Sequence, residues 1–346
     1  MNRSGPITSA LSVSEIPVAD VLPLLVAAGN ASWRQYPAYA GVAAKAAGAR
    51  SHYLLVSDGD QPVALANARI KPLPLVPAGL AVIAQGPVML DDGAEMVAHV
   101  QAALRHYLVA GKGYNLRINP PVITDDIAVQ RSAYEAIAGF APLSGTGYET
   151  FIIDLAPDME ALRAGLNGKW RTDLRRGEKG DIRITRSADP EDFRLFQPLL
   201  QQLSHQKGFQ APQDAAFFAD AAEMAGADER LLVHLAWHQD RLVGGHIGAY
   251  SGNMAVYLLG ATNDEGRDLR ASFRLQWAVI EHARSLGLSH YDLGGADEED
   301  NPSVFRFKKR MGGVHYRGPE IQEARAAWPR GQIVELAETI YNRVRG

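Results

Sequence analysis

The sequence predicts a mixed α+β protein built as a tandem duplication of one unit, each copy a mostly antiparallel sheet flanked by helices. Three observations predict it. The chain has 346 residues, more than one compact domain usually holds, so two units of roughly 150 residues are expected. Hydrophobic residues make up 47% and charged residues 21%, a globular balance that excludes a wholly disordered chain. The order helix pair, antiparallel meander, helix, strand, helix, strand then occurs twice.

The first copy opens with helical segments, Val18 to Ala28 and Tyr36 to Ala47. Strands over His52–Ser57 and Val63–Ile70 flank Asp58-Gly59-Asp60, residues that tolerate a tight reversal. A third apolar run, Leu80–Val88, follows the Pro-rich connection Lys71–Pro77. Glu95–Ala110 is amphipathic and stops at Gly111 and Gly113. Tyr114–Ile118 reads as a strand, Asp126–Gly139 as a helix and Thr150–Leu155 as a strand.

Met159–Lys179 reads as one long helix leading into a strand over Ile182–Thr185. Pro190–His205 and Asp214–Ala225 are the second helix pair. Leu231–Trp237, Leu242–Tyr250 and Ala255–Ala261 form the second meander. A helix over about Leu269–Leu286 ends at Gly287. His290–Leu293 is a strand running into Gly294-Gly295, followed by a short helix near Val304–Met311, a strand over Val314–Arg317 and a packing helix over Ile333–Arg345. The expected domains are therefore residues 1–155 and 156–346.

Cys is absent, which removes disulfides, thiolate metal sites and cysteine nucleophiles and fits a reducing compartment. The most apolar N-terminal run, Val21 to Ala28, is short and follows Glu15 and Asp20 where a signal peptide carries positive charge. No stretch approaches the ~20 apolar residues that span a bilayer. A cytoplasmic protein without a transmembrane segment is expected, for which peripheral membrane contact stays open.

The net charge of −4 hides a separation. Residues 163–186 hold eight Lys/Arg against Asp173, Glu178 and Asp181, a net of +5. Residues 301–318 hold Arg306, Lys308, Lys309, Arg310 and Arg317 with no carboxylate, another +5. Such clustering favours a local field for anions over even solvation. Leu162, Leu166, Trp170 and Leu174 recur every four residues and would pack inward. Asn167, Arg171, Arg175 and Lys179 would form the neighbouring stripe, as a phosphate-binding face or as a solvated one. Arg267, Arg270 and Arg274 open the long helix near Asp264, Glu265 and Asp268, which favours a structural role for them.

Several chemistries lack their motifs. His234 and His238 are four apart but straddle a strand end and a turn, so they would not converge. There is no H-E-x-x-H, no G-x-S-x-G, no P-loop and no strand-linked G-x-G-x-x-G. The run Asp297–Asp300 is a lone acidic loop.

Other stretches carry a resemblance. Tyr257-Leu-Leu-Gly-Ala-Thr262, Gly266-Arg267, the Trp277-bearing helix, Tyr291-Asp-Leu-Gly-Gly295 and Phe307-Lys308 with Met311-Gly-Gly313 together resemble the FemABX family of aminoacyl transferases. Lys169-Trp170-Arg171 through Lys179 is similar to that family's helix before a strand, and Trp33 to Tyr39 is a looser match. The resemblance implies two N-acetyltransferase-like (GNAT) domains in tandem. It implies a donor, aminoacyl-tRNA, and an acceptor, the amino group of a peptidoglycan precursor or related amine. It calls for no cofactor and no metal.

Such aminolysis needs a placed amine, a donor or cation for the tetrahedral oxyanion, and a proton path. By resemblance Lys308 lies near the transferred acyl group, where a cation stabilises the oxyanion or grips the tRNA end; by itself it reads equally as a surface lysine beside Lys309 and Arg310. Asp292 ends a strand, where a carboxylate orients or deprotonates the amine, or else binds the following glycine amides. Phe307, Tyr257 and Tyr291 are candidates for substrate contact, the tyrosines equally for the core. Gln35 and Tyr39 are expected by resemblance to line the substrate groove from the first domain. Arg171, Arg175 and Arg176 are candidates for tRNA phosphates. The alternative donor is an acyl-CoA. Against it, Thr262 to Ala271 lacks the pyrophosphate loop's glycine pair and carries carboxylates. A non-catalytic module that uses its basic surface for nucleic acid or anionic lipid is the reading from another class.

Overall fold

A computed structural model describes residues 11–345 apart from 91–93, 123–131, 136, 208–212 and 227. The chain forms two compact units. Unit 1 is Met1–Tyr148 with Gly318–Gly346, and unit 2 is Glu149–Arg317. The expected boundary after residue 155 is corrected at both ends, because residues 149–155 belong to unit 2 and the C-terminal segment returns to unit 1.

Unit 1 holds β1 (Ser12–Ile16), α1 (Val21–Ala28), α2 (Pro37–Ala46), β2 (Arg50–Asp58), β3 (Gln61–Pro72), β4 (Gly79–Ala84) and β5 (Val88–Met89). It continues with α3 (Ala94–Arg105), extended by a π-helical turn over His106–Gly111, then β6 (Tyr114–Asn119) and β7 (Ala141–Pro142). The helix expected from Asp126 falls mostly outside the described residues. Unit 2 holds β8 (Glu149–Asp154), α4 (Met159–Gly165), α5 (Gly168–Lys179), β9 (Arg183–Ser187), α6 (Pro190–Lys207), α7 (Ala215–Met224) and the meander β10 (Arg230–His238), β11 (Arg241–Ser251) and β12 (Met254–Thr262). Next come α8 (Asp264–Asp268), α9 (Ala271–Ser285), β13 (His290–Asp292), α10 (Pro302–Lys309) and β14 (Val314–Arg317). The chain then adds β15 (Gln322–Ala324) and α11 (Arg330–Arg345) to unit 1.

The two sheets share one plan. In unit 1 the order is β1-β2-β3-β4-β6-β15-β7, and in unit 2 it is β9-β10-β11-β12-β13-β8-β14. Each has one parallel junction, β4 with β6 and β12 with β13, among antiparallel neighbours. The strand after β7 enters unit 2's sheet and the strand after β14 enters unit 1's sheet, which is why the linear boundary failed. At β15 three residues pair with β6, too short a run for an alternating pattern to show in the sequence.

The long helix expected over Met159–Lys179 is two helices. Leu166 leaves the helical region (ψ 143°), and the Asn167 side chain accepts from Lys169 N to cap α5. Gly165 and Gly168 on either side lower the helix propensity there. The four-residue stripe still buries Leu166, Trp170 and Leu174, each aliphatic side chain contributing roughly 2 kcal/mol. The cationic stripe loses Asn167, which is a cap.

Candidate functional site

The site of unit 2 begins with its parallel junction. β12 and β13 pair over only three residues, Met254–Val256 with His290–Asp292. Gly294 then turns the chain away with φ 73°, and a Cβ there would lie 2.5 Å from the Tyr257 carbonyl oxygen. Only glycine fits that approach. β12 continues to Thr262 with its outer edge unpaired by β13. Successive residues of a strand turn their main-chain groups to opposite sides. Asn263 N donates to Val243 O on the β11 side, so Gly260 turns its amide and carbonyl outward.

That splay opens a cavity of about 780 Å³ between β12, α10 and the polar face of α6, lined among others by Tyr257, Gly260, Gly295, Asn301, Val304 and Lys308. A smaller space of about 280 Å³ shares Tyr257, Gly260, Val304 and Lys308 and has apolar walls including Leu275, Leu293 and Met311. Val304 and Lys308 are four apart on α10 and so lie on one face, the face that covers the splay.

Lys308 is 5% exposed, and its Nζ donates to Gly295 O at 2.7 Å. The ammonium lies 5.0 Å from the Tyr257 ring centre, within range of the ring's negative face. Desolvation pushes Lys308 down to about 8, opposed by the negative charge of Asp292. Tyr257 lines both cavities, and burial pushes its phenol up to about 12, so it stays neutral.

Asp292 is 1% exposed and lines neither cavity. Its Oδ1 accepts from Thr150 Oγ1 at 2.5 Å and from Gly294 N at 2.8 Å. Of the two roles expected of it, Asp292 thus takes that of binding the following glycine amide, and it shapes the Gly294-Gly295 turn that presents a carbonyl to Lys308. Of its two expected readings, Tyr291 takes the core one. Its hydroxyl donates to Gln276 Oε1 at 2.6 Å and lies 3.3 Å from His246 Nε2. Phe307 lines the smaller space and packs edge-on to Phe273 with centres 5.3 Å apart.

Gln35 and Tyr39 belong to unit 1, and both are buried with their polar atoms engaged. Gln35 Nε2 donates to Ala84 O at 2.6 Å and Oε1 accepts from Asn67 N at 2.7 Å. The Tyr39 hydroxyl accepts from Arg34 at 2.9 Å. Both side chains are thus held by partners within unit 1.

The basic segments meet, though not through the arginines expected. Lys169 and Asp173 of α5, Arg306 of α10 and Arg310 just after it line a third cleft, of about 410 Å³, floored by Trp170, Phe273 and Phe307. It shares Ser303 and Phe307 with the apolar space. Arg171 instead ties the α4–α5 connection, donating to Ala164 O and Leu166 O. Arg175 and Arg176 are exposed on α5, and Arg176 lies 3.8 Å from Asp173. Ahead of α9, Arg267 pairs with Asp264 and also lines the smaller space, while Arg270 pairs with Asp173. His238 binds Glu265, away from His234.

Two groups of site residues went unseen in the sequence. Gln197, Gln201, Ser204 and His205 of α6 line the large cavity. Their spacing of four, three and one, all on one polar face, was a usable signal. The buried His234, His246 and Tyr250 and the half-buried His282 form an aromatic layer, in which His246 also lines the smaller space and the His234 and His246 centres lie 5.9 Å apart. Burial pushes His246 down to about 3 and His282 to about 4. Their convergence depends on strand register, His234 opposite His246, which the linear sequence does not show. Among the described residues no cluster of His, Asp or Glu could hold a metal ion.

Residues 166–309 match the family model for the acetyltransferase (GNAT) domain. The lipid II:glycine glycyltransferase of Staphylococcus saprophyticus is 28% identical over 90 residues, covering 25% of this chain and 22% of the relative. The enzyme of the same name from Staphylococcus aureus is 31% identical over 68 residues, 18% of this chain and 16% of the relative. The matched part is thus about a fifth of those relatives' length. Among solved structures, FemX superposes with a TM-score of 0.78 at 17% identity, covering 94% of this chain and 100% of that chain. The C-terminal domain of a putative lysylphosphatidylglycerol synthetase from Agrobacterium fabrum gives 0.52 at 13% identity, over 91% and 95%. The FemX likeness extends over both units and shows a shared fold. Unit 2 thus carries a stretch similar to a GNAT domain and locally similar to the lipid II:glycine glycyltransferases, and the chain has the fold of FemX.

Proposed function

We propose that this protein is an aminoacyltransferase that moves an amino acid from an aminoacyl-tRNA ester to an amino group of a peptidoglycan precursor or related amine. The observation that carries the reading is the buried Lys308, which lines both the large cavity and an apolar space that shares Ser303 and Phe307 with a cationic, aromatic-floored cleft. An ester-linked aminoacyl group fits the apolar space, and the phosphates and a base of a nucleic-acid end fit the cleft. Lys169, Arg306 and Arg310 form no ion pair among the described residues, so their charge is available to an anion.

In the reaction a neutral amine attacks the ester carbonyl. The C–N bond forms, and negative charge gathers on the carbonyl oxygen near the Lys308 ammonium. Collapse breaks the ester C–O bond, and the ribose oxygen takes a proton while the amine loses one. With its pKa drawn to about 8, Lys308 stays mostly cationic at neutral pH yet can give its proton to the leaving oxygen and regain one from the amine. A dry pocket strengthens the ammonium's pull on the oxyanion. The rate is expected to fall as pH rises through about 8, where Lys308 loses its charge.

The test supplies purified protein with a labelled aminoacyl-tRNA and a muramyl-pentapeptide precursor. Transfer that ribonuclease abolishes is the expected result, and Arg306→Gln with Arg310→Gln should raise the tRNA KM about tenfold. Absence of transfer from any charged tRNA sinks the reading. The match to an acetyltransferase model and the open edge at Gly260 favour a second donor, an acyl-CoA with an extended arm. Acetyl-CoA at 100 times its Kd would then stabilise the protein by about 2.7 kcal/mol in a thermal shift.

A further inference from the structure

One end of the unit 1 sheet carries features that the transfer reading does not use. β3 ends at Lys71-Pro72, paired with Leu80 and Gly79, and Gly79 lies opposite Tyr114 of β6. The connection Leu73-Pro74-Leu75-Val76-Pro77 therefore projects beyond this end of the sheet. It has no charged residue. Leu75 is wholly exposed (105%) and held at φ 65°, a left-handed conformation that a leucine adopts at a cost. The turn before α11 reaches the same place. A side chain at Gly113 would meet both the Arg330 guanidinium and the Pro77 carbonyl, so Arg330 and the loop converge there. Two residues before Arg330 is Trp328, 81% exposed.

The cations of this end surround the apolar tips. Lys71 Nζ lies 4.4 Å from the Tyr341 ring centre and Lys112 Nζ 5.3 Å from that of Tyr107. Neither these lysines nor Arg330 pairs with a carboxylate among the described residues. The nearby acids are already engaged: Glu323 and Glu335 with Arg325, and Glu338 with Arg117.

We propose that this end of unit 1 is a docking surface for an anionic lipid bilayer, with Leu75 and Trp328 entering the headgroup boundary and Lys71, Lys112 and Arg330 meeting lipid phosphates. The occupant follows from shape and charge. A protein partner stabilises itself on a patch that closes over apolar groups, whereas here Leu75 and Trp328 stand almost fully exposed on turns. A fluid interface accepts protruding side chains, favours Trp at headgroup depth and attracts unpaired cations beneath it. Among the described residues no helix is long and apolar enough to cross a membrane, so contact of this kind is superficial. The surface is independent of the donor and acceptor proposed above, and its test needs neither.

The test mixes the full chain with vesicles of phosphatidylcholine containing about one-third phosphatidylglycerol, and separately with pure phosphatidylcholine, and sediments both. Binding to the anionic vesicles is expected, weakened by salt. Leu75→Ser with Trp328→Ser should lower partitioning at least tenfold with an unchanged melting temperature, since both side chains are exposed. Lys71→Gln, Lys112→Gln and Arg330→Gln should each lower it about fivefold. Brominated acyl chains should quench a part of the tryptophan fluorescence that Trp328→Phe removes. No sedimentation, or the same binding by the Leu75/Trp328 variant, overturns the proposal. So does concentration-dependent self-association that this variant abolishes in the absence of vesicle binding.

Discussion

The two units share a strand order and differ at one junction. In unit 1 the parallel strands β4 and β6 stay paired over six residues, from Gly79 with Tyr114 to Ala84 with Asn119. In unit 2 the corresponding strands β12 and β13 pair over three and then part at Gly294. The closed junction has the Gln35 side chain bonded to Ala84 O at its end, whereas the open one has a cavity and a buried lysine. Duplication of a fold therefore does not duplicate a site. A few residues of lost pairing, with a glycine that lets the chain turn away, decide which copy has room for chemistry.

The largest test of that difference is Lys308→Ala. Turnover should fall about 10²–10³-fold, the usual cost of removing one oxyanion donor, with the fold retained by circular dichroism. Initial rates at saturating donor measure it, and a rate near that of the unaltered protein would separate the open junction from catalysis.

Acid separates the units next. His246 is fully buried and held near 3, well below its ordinary 6.5. Its neutral form is the one that folding favours, so its contribution is complete above pH 6.5 and is lost as pH falls toward 3. At pH 4.5 the loss is about 2–3 kcal/mol. The buried polar residues of unit 1 among those described include no histidine. Hydrogen exchange at pH 7 and 4.5 should thus show unit 2 peptides losing protection first, and equal loss in both units would contradict the assignment.

Closing the splay is a smaller step. Gly294→Ala combines a left-handed backbone with a collision at the Tyr257 carbonyl, and should cost about 2 kcal/mol by chemical denaturation. It should also lower activity through the Gly295 carbonyl that holds Lys308. An unaltered denaturation midpoint would show that the turn has more freedom than its geometry implies.

Gln35→Leu is the smallest and sharpens the contrast from the other side. It leaves Asn67 N and Ala84 O without their partner, a loss of about 1–2 kcal/mol in stability. Turnover per folded molecule should not change. A drop of more than tenfold in kcat at unchanged stability would return Gln35 to the substrate groove.

Much of this architecture was legible in the chain. Both meanders, the helix pairs and the strand before Gly294-Gly295 follow from apolar periodicity and turn residues, and the two charge clusters are local counts. Lys308 was singled out by its motif and lies at the open junction. The errors have a common cause. Asn167 reads as one position of a cationic stripe because periodicity continues across it, and only its cap bond to Lys169 N shows the break. Arg171 reads as a free cation because the carbonyls it binds, of Ala164 and Leu166, become available only when that helix is broken.

The sequence by itself determined the class of fold, its duplication and the segments that would be charged, since these depend on neighbours a few residues apart. The tertiary structure alone decided that β15 returns to the first sheet and that β12 and β13 part. It also decided that Lys169 meets Arg306 and Arg310, and that His234 faces His246. Each of these joins residues distant along the chain, and strand register and close packing, not local preference, determine which of them meet.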